Sequence, residues 1–171
     1  MKNLILKYGL ISGAISVVLM GISSLWFRQT GKIEGGEFIG YTGMILSMLF
    51  VYIGVRTFRD QHRNGAISFG EAFKVGGIIA LISCVCYVVG WLFVYEFVMP
   101  DFMDFYITSL VDKMKAAGKP EAEIQQSMAE MMHYKELYKN PLYRIGLTFM
   151  EPLPVALLVS LVSAAIVRRK G

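Results

Sequence analysis

Charged residues are scarce in this sequence. Asp, Glu, Lys and Arg together make up 18% of its 171 residues, whereas a soluble domain carries about 25%. The charges fall in clusters with long apolar runs between them, and the mean hydropathy is +0.52. This pattern excludes an ordinary soluble domain and indicates an integral membrane protein. The net charge of +4 does not indicate nucleic-acid binding, because no basic stripe interleaved with aromatic residues is present.

Cysteine and histidine, the usual residues of metal and redox sites, occur only twice each. Cys84 and Cys86 are two apart in an apolar run, so they point to nearly opposite sides of a helix and are predicted to be small apolar fillers. His62 and His133 fall on opposite sides of the membrane in the topology predicted below. HExxH, GxSxG, Walker and CxxC motifs are missing. We therefore expect no enzyme, no cofactor and no metal site.

Four long apolar runs each have about the 20 residues that a helix needs to cross the hydrocarbon core. The first run is longer than the apolar part of a signal peptide and has no cleavage site after it, so we expect it to be retained. The sequence therefore predicts an all-α integral membrane domain. Its four transmembrane helices are predicted at residues 8–27, 38–55, 73–95 and 147–167.

Lysine and arginine residues predict the orientation of these helices. They flank the N-terminus, the 56–68 loop and the C-terminal tail, as Lys2, Lys7, Arg56, Arg59, Arg63, Arg168, Arg169 and Lys170. The 28–37 loop instead balances Arg28 and Lys32 against Glu34 and Glu37. Because cytoplasmic loops carry the excess of bases, we expect both termini to lie in the cytoplasm (N-in/C-in).

Residues 100–141 are more polar and are predicted to form an extracytoplasmic helical insertion. A first helix should begin near Asp101 and end by Gly118, and Pro120 should open a second. Apolar residues recur at helical spacing in both. The two helices are expected to form a hairpin or cap on the outer side, between the third and fourth spans.

The second helix of this insertion carries Met128, Met131, Met132 and His133. Thioether and imidazole groups are soft ligands that would suit copper(I). Methionine is also a common filler of amphipathic helix faces. We favour packing, because the pattern does not recur elsewhere in the chain.

Small residues recur at four-residue spacing within the spans. Helices in lipid associate through such residues, because they let two backbones approach closely. We expect them to pack the helices of one bundle, with a dimer interface as the alternative. They are Gly9, Gly13, Gly76, Ala80, Ala156 and Ser160.

The first and third runs also echo each other. Identical residues at positions 7, 9, 11, 15, 16 and 18 recur at positions 74, 76, 78, 82, 83 and 85. A parallel duplication of a two-helix unit would explain this echo, as in some transporter folds.

Glu151 is the strongest candidate for a functional residue. It lies about one turn inside the fourth apolar run and is followed by Pro152 and Pro154. A carboxylate at membrane depth is costly and is a functional candidate for that reason, while the prolines leave backbone carbonyls without helical donors. The alternative is an interfacial acid in the first turn of the helix.

The stretch ISFGEAFKVG, residues 67–76, is predicted to start the third span. Ser68 and Glu71 have the spacing of a capping box, in which Glu71 reaches back to the Ser68 amide. Lys74 is expected to extend toward lipid headgroups as an interfacial anchor, and a Glu71–Lys74 ion pair is a further expectation.

The chain contains the stretches GYTGMILSMLFVYIGVRTFRD (40–60), GAISFGEAFKVG (65–76), MPDF (99–102) and FMEPLPVALLVSLVSAAIVRRK (149–170). Together they resemble a family of small bacterial four-span membrane proteins catalogued only as a domain of unknown function. The resemblance covers nearly the whole chain. It implies the four-span topology and no particular activity, substrate or cofactor.

These observations favour a non-enzymatic inner-membrane protein that serves assembly, scaffolding or envelope maintenance. Its expected partners are membrane lipids and either a second copy of the chain or another membrane protein. The alternative function is a small oligomeric transporter or channel that uses Glu151 in a polar cavity.

Overall fold

The structure is a computed structural model. It describes the backbone of residues 2–30 and 36–169 and the side chains of all of these residues except 36–39. Lys32, Glu34 and Lys170, which entered the orientation argument, lie outside the described residues, as does the side chain of Glu37. Most of the described residues are helical; these residues form no strand, and one isolated β-bridge joins Ile67 to Arg169. The helices are α1 (Lys2–Thr30), α2 (Gly36–His62), α3 (Phe69–Phe93), a π-helical segment (Val94–Val98), α4 (Phe102–Ala116), α5 (Glu121–Tyr138), α6 (Pro141–Met150) and α7 (Leu153–Val167).

The predicted four long apolar helices are confirmed. By length and composition, four stretches could cross a membrane, namely Lys2–Thr30, Gly40–His62, Phe69–Val98 and Pro141–Val167. The predicted spans are the apolar central parts of longer helices. The helices continue beyond these apolar parts into charged residues, because a helix does not have to end where its hydrophobic part ends.

The fourth span differs from the single helix predicted at 147–167. It begins at Pro141 and consists of α6 and α7, which are separated at Glu151 and Pro152. The break has a local cause, because Pro152 and Pro154 have no N–H to offer the carbonyls of the preceding turn. The last residues of the predicted 100–141 insertion therefore lead directly into this span.

Local signals set the ends of several helices. Asn140 caps α6 by accepting a hydrogen bond from the Leu142 amide at 2.9 Å. Gly118 ends α4 with a φ of +67°, and the Lys119 amide then bonds the Met114 carbonyl at 3.1 Å. A left-handed residue at this position is the usual helix stop that glycine permits.

Helix α3 is the centre of the bundle. It packs against α1, α2, α6 and α7, while α4 and α5 pack on each other and α5 reaches α6. We call the end with Lys2, the 62–69 turn and Val167 the termini end. The opposite end, with α4 and α5, is called the α4–α5 end. Most of the buried apolar cluster lies toward the termini end, around Val51, Val55 and Ile79.

Small residues let the helices touch in this half. A Cβ atom added to Gly13 would lie 2.4 Å from the Cβ of Cys86, and one added to Gly9 would lie 2.7 Å from the Cβ of Ile82. On the other side of α3, a Cβ on Gly76 would lie 3.7 Å from the Ser160 Cα. Ala80, Ala156 and Ser160 are buried. The small residues singled out in the sequence therefore lie between helices of the same chain.

Candidate functional site

The helices that touch at the termini end line a partly open cavity of about 700 Å³ toward the α4–α5 end. Residues from α1, α2 and α3 form three of its walls, and α4, α5 and α6 supply the rest. Cavities of about 300–1,000 Å³ are typical of sites for small organic ligands. This cavity is therefore the main candidate for a functional site in the described part of the chain.

Aromatic and methionine side chains dominate the cavity wall. Trp91, Phe27 and Met44 are examples from three different helices. Among the described lining residues, Glu151 is the only carboxylate, and none is Lys, Arg or His. The cavity therefore combines an apolar, polarisable surface with a single acidic group.

Glu151 occupies the break between α6 and α7. The hydroxyl of Tyr87, on α3, donates a hydrogen bond to its Oε2 atom at 3.1 Å. The Glu151 side chain is otherwise exposed on the cavity wall. The break contributes to this contact, because α6 ends before Pro152 and leaves Glu151 between the two helices, beside Tyr87 of α3.

A second polar group closes the cavity toward α5. The Trp91 indole donates a 2.6 Å hydrogen bond to the hydroxyl of Tyr138, which lies 3.4 Å from the hydroxyl of Thr148. Burial raises the pKa of the Tyr138 hydroxyl. Because these residues come from α3, α5 and α6, the group ties the α4–α5 pair to the transmembrane bundle.

Four serine hydroxyls form the floor of the cavity and continue below it. Ser12 donates to the Ser47 carbonyl at 2.8 Å and lies 2.9 Å from Ser83, which is therefore the donor in that contact. Ser16, which lines the cavity, donates to the Ser47 hydroxyl at 2.8 Å. Ser12, Ser47 and Ser83 are at most 1% exposed. The network joins α1, α2 and α3 through buried hydroxyls.

Glu151 was singled out in the sequence, but its partner was not. In the sequence, Tyr87 and Trp91 resemble interfacial residues, because aromatic residues at the end of a span usually mark the membrane interface. The serine network was missed as well. Its only sequence signal is the helical spacing of Ser12, Ser16 and Ser23, which places three hydroxyls on one face of α1.

Ser68, Glu71 and Lys74 lie at the opposite end of α3 from the cavity. Ser68 caps the helix by accepting a 3.3 Å hydrogen bond from the Glu71 amide. The other half of the predicted capping box is wrong, because the Glu71 carboxylate binds Arg63 and not the Ser68 amide. That ion pair also replaces the expected Glu71–Lys74 pair, since the 62–69 turn brings the Arg63 guanidinium to the start of α3.

The methionines of α5 have different surroundings. Met131 lines the cavity, whereas Met128 and Met132 are exposed. Both the packing interpretation and the copper(I) hypothesis stay predictions from the sequence.

The fold and the cavity define the class of protein, an all-helical protein with four helices that could span a membrane. Residues 7–169 match the model of a family described as "Protein of unknown function (DUF4199)". The chain belongs to this family, and the resemblance noted in the sequence is confirmed. No curated protein and no solved structure matches the chain.

Proposed function

We propose that this protein binds a hydrophobic small molecule in the cavity at the α4–α5 end and acts without changing it chemically. One observation carries the proposal, namely the cavity of about 700 Å³ within the membrane-spanning bundle. Its size suits an organic ligand, and its wall is mainly apolar with a few polar groups, as in known ligand sites. An assembly or scaffold role stays a prediction from the sequence.

A carrier suits this geometry better than a pore. Ser16 lines the cavity, and beyond it Ser12, Ser47 and Ser83 are hydrogen-bonded and at most 1% exposed. A carrier needs a binding site that is closed toward one side of the membrane. We therefore favour the transporter alternative, in the form of a carrier whose described state is closed at the termini end.

The proposed orientation places both termini in the cytoplasm of a bacterium and the α4–α5 pair outside its inner membrane. The bases at the termini end, such as Arg56, Arg63 and Arg168, support this orientation. A single cysteine at position 121, in a variant whose native cysteines are serine, should react with an impermeant maleimide in intact cells. A second variant, with its single cysteine at position 64 in the 62–69 turn, should not react. Labelling of the position-64 variant alone would overturn the proposed orientation.

Ligand binding can be measured with the native tryptophans. Trp91 lines the cavity, whereas Trp26 is exposed on the outside of the bundle and can be replaced by phenylalanine. Energy transfer from Trp91 to the neutral aromatic probe N-phenyl-1-naphthylamine would then report binding in the cavity. We expect a saturable signal from purified Trp26→Phe protein in a neutral maltoside detergent.

A matched pair of substitutions distinguishes binding of the probe in the cavity from its uptake by the detergent micelle. Ser24 lines the cavity, and its hydroxyl bonds only the Met20 carbonyl of its own helix. Ser24→Phe should fill part of the space and abolish the saturable signal. Ile22→Phe, on the exposed side of the same helix, should retain it. Unsaturable transfer that is equal in both variants would overturn the proposed function.

A further inference from the structure

The charge inventory of the cavity narrows the class of ligand. Glu151 is the one carboxylate among the described lining residues, and no described Lys, Arg or His faces the cavity. An anionic ligand would meet no positive counter-charge in such a site. An uncharged ligand would give the Glu151 carboxylate no opposite charge, and the cost of placing that carboxylate within the membrane would not be offset by ligand binding.

The carboxylate of Glu151 is only partly satisfied. Tyr87 donates to Oε2, and no described residue forms a hydrogen bond or ion pair with Oε1. An ionised carboxylate accepts several hydrogen bonds across its two oxygens. The free oxygen belongs to a side chain that is exposed on the cavity wall, so it is available to a positively charged group.

Aromatic side chains from three helices share the cavity wall with this acid. Tyr87 and Trp91 lie one helical turn apart on α3, Tyr41 is on α2 and Tyr138 is on α5. All four line the cavity with Glu151. The faces of aromatic rings carry negative potential and attract cations, and the attraction is strongest where water is excluded.

We propose that the ligand is a hydrophobic organic cation, with Glu151 as its counter-charge and the aromatic wall as the surface for its apolar groups. This inference rests on the proposed function. A bare hard metal cation does not suit the site, because such cations require six or more oxygen ligands and the described wall offers one carboxylate among apolar groups. Tyr87 acts here as a positioning residue that orients the carboxylate toward the cavity.

The experiment compares two ions of the same shape and opposite charge. Tetraphenylphosphonium and tetraphenylborate would each be used to displace N-phenyl-1-naphthylamine from Trp26→Phe protein. We expect the cation to bind at least about tenfold more tightly than the anion, the effect of one charge-assisted contact. In Glu151→Gln this ratio should fall to about one, while Glu151→Asp should keep part of it.

The ratio of the two affinities is the readout, because damage to the cavity would weaken both ions together. Glu96→Gln is the matched control, since Glu96 is an exposed acid near the same end of α3 and does not line the cavity. It should keep the preference for the cation. An equal ratio in the Trp26→Phe protein and in Glu151→Gln would overturn the inference.

The two proposals fail in different ways. If the neutral probe binds saturably but the two ions displace it equally, the cation class is wrong and the proposed function stands. If the neutral probe shows no saturable binding, the proposed function fails, and the inference that rests on it fails as well.

Discussion

The two halves of the bundle are built from the same helices but differ in the size of the side chains between them. At the termini end, α1 presents Gly9, Ser12 and Gly13 to its neighbours, and the helices are in direct contact. Toward the α4–α5 end, the same helix presents Met20 and Phe27, and a cavity opens. Small residues allow backbones to approach in lipid, whereas large ones hold them apart.

This difference separates two tasks along one set of helices. The part of the bundle below the cavity contains the hydroxyl network and the contact between Gly13 and Cys86, so it holds the helices in register. The half around Glu151 contains unfilled volume and a polar group with an unused acceptor. Substitutions in the first half should therefore act on stability, and substitutions in the second half on binding.

Gly13→Leu should break the close packing at the termini end. The added side chain would collide with Cys86, whose Cβ lies 2.4 Å from the position of a new Cβ. We expect a loss of about 1–3 kcal/mol or more, as for other overpacked interiors. Thermal unfolding of the purified protein, followed by circular dichroism, would measure it.

Gly21→Leu is the matched control on the same helix. A Cβ at Gly21 would meet nothing within 4 Å, so its melting temperature should be unchanged. If Gly13→Leu and Gly21→Leu melt at the same temperature, α1 and α3 do not pack as described.

Ser12→Ala should have a smaller effect on the same half. It removes the donor to the Ser47 carbonyl and leaves Ser83 without its acceptor. Hydrogen bonds between membrane helices contribute about 1 kcal/mol, so a moderate fall in unfolding temperature is expected. In the comparison variant Ser23→Ala, the lost hydroxyl bonds only the Leu19 carbonyl of its own helix. Equal melting of both variants would show that the network adds no stability between helices.

Of the substitutions compared between the two halves, Ser24→Phe, the variant of the binding experiment, should have the smallest effect on stability. Its new ring would enter existing space, so the melting temperature should stay within a few degrees of that of the parent protein while binding is lost. A fall comparable to that of Gly13→Leu would contradict the division between the two halves.

Much of the helical framework could be predicted from the sequence, because hydrophobic length and helix stops are local properties. The four apolar runs, the stop at Gly118 and the cap at Ser68 all depend on residues within a few positions of one another. The break at Pro152 has a local cause too, but an apolar run conceals it, since hydropathy carries no information about missing donors.

Only part of the candidate site could be predicted from the sequence, because the site depends on contacts between distant residues. Glu151 is conspicuous as an acid inside an apolar run. Its partner Tyr87 is 64 positions away, and an aromatic residue near the end of a span resembles any interfacial tyrosine. The Arg63–Glu71 pair illustrates the same difficulty, because Lys74 was the nearer candidate on the helix but the turn brought Arg63 closer.

The sequence alone determined that the chain forms four apolar helices and carries an acid within the fourth, because charge and hydropathy act residue by residue. Only the tertiary structure decided that Tyr87 meets Glu151, that Ser12 meets Ser47 and Ser83, and that a cavity lies between these groups. Those contacts depend on how each helix is rotated and shifted against its neighbours. That choice is made by the fit of many small and large side chains at once.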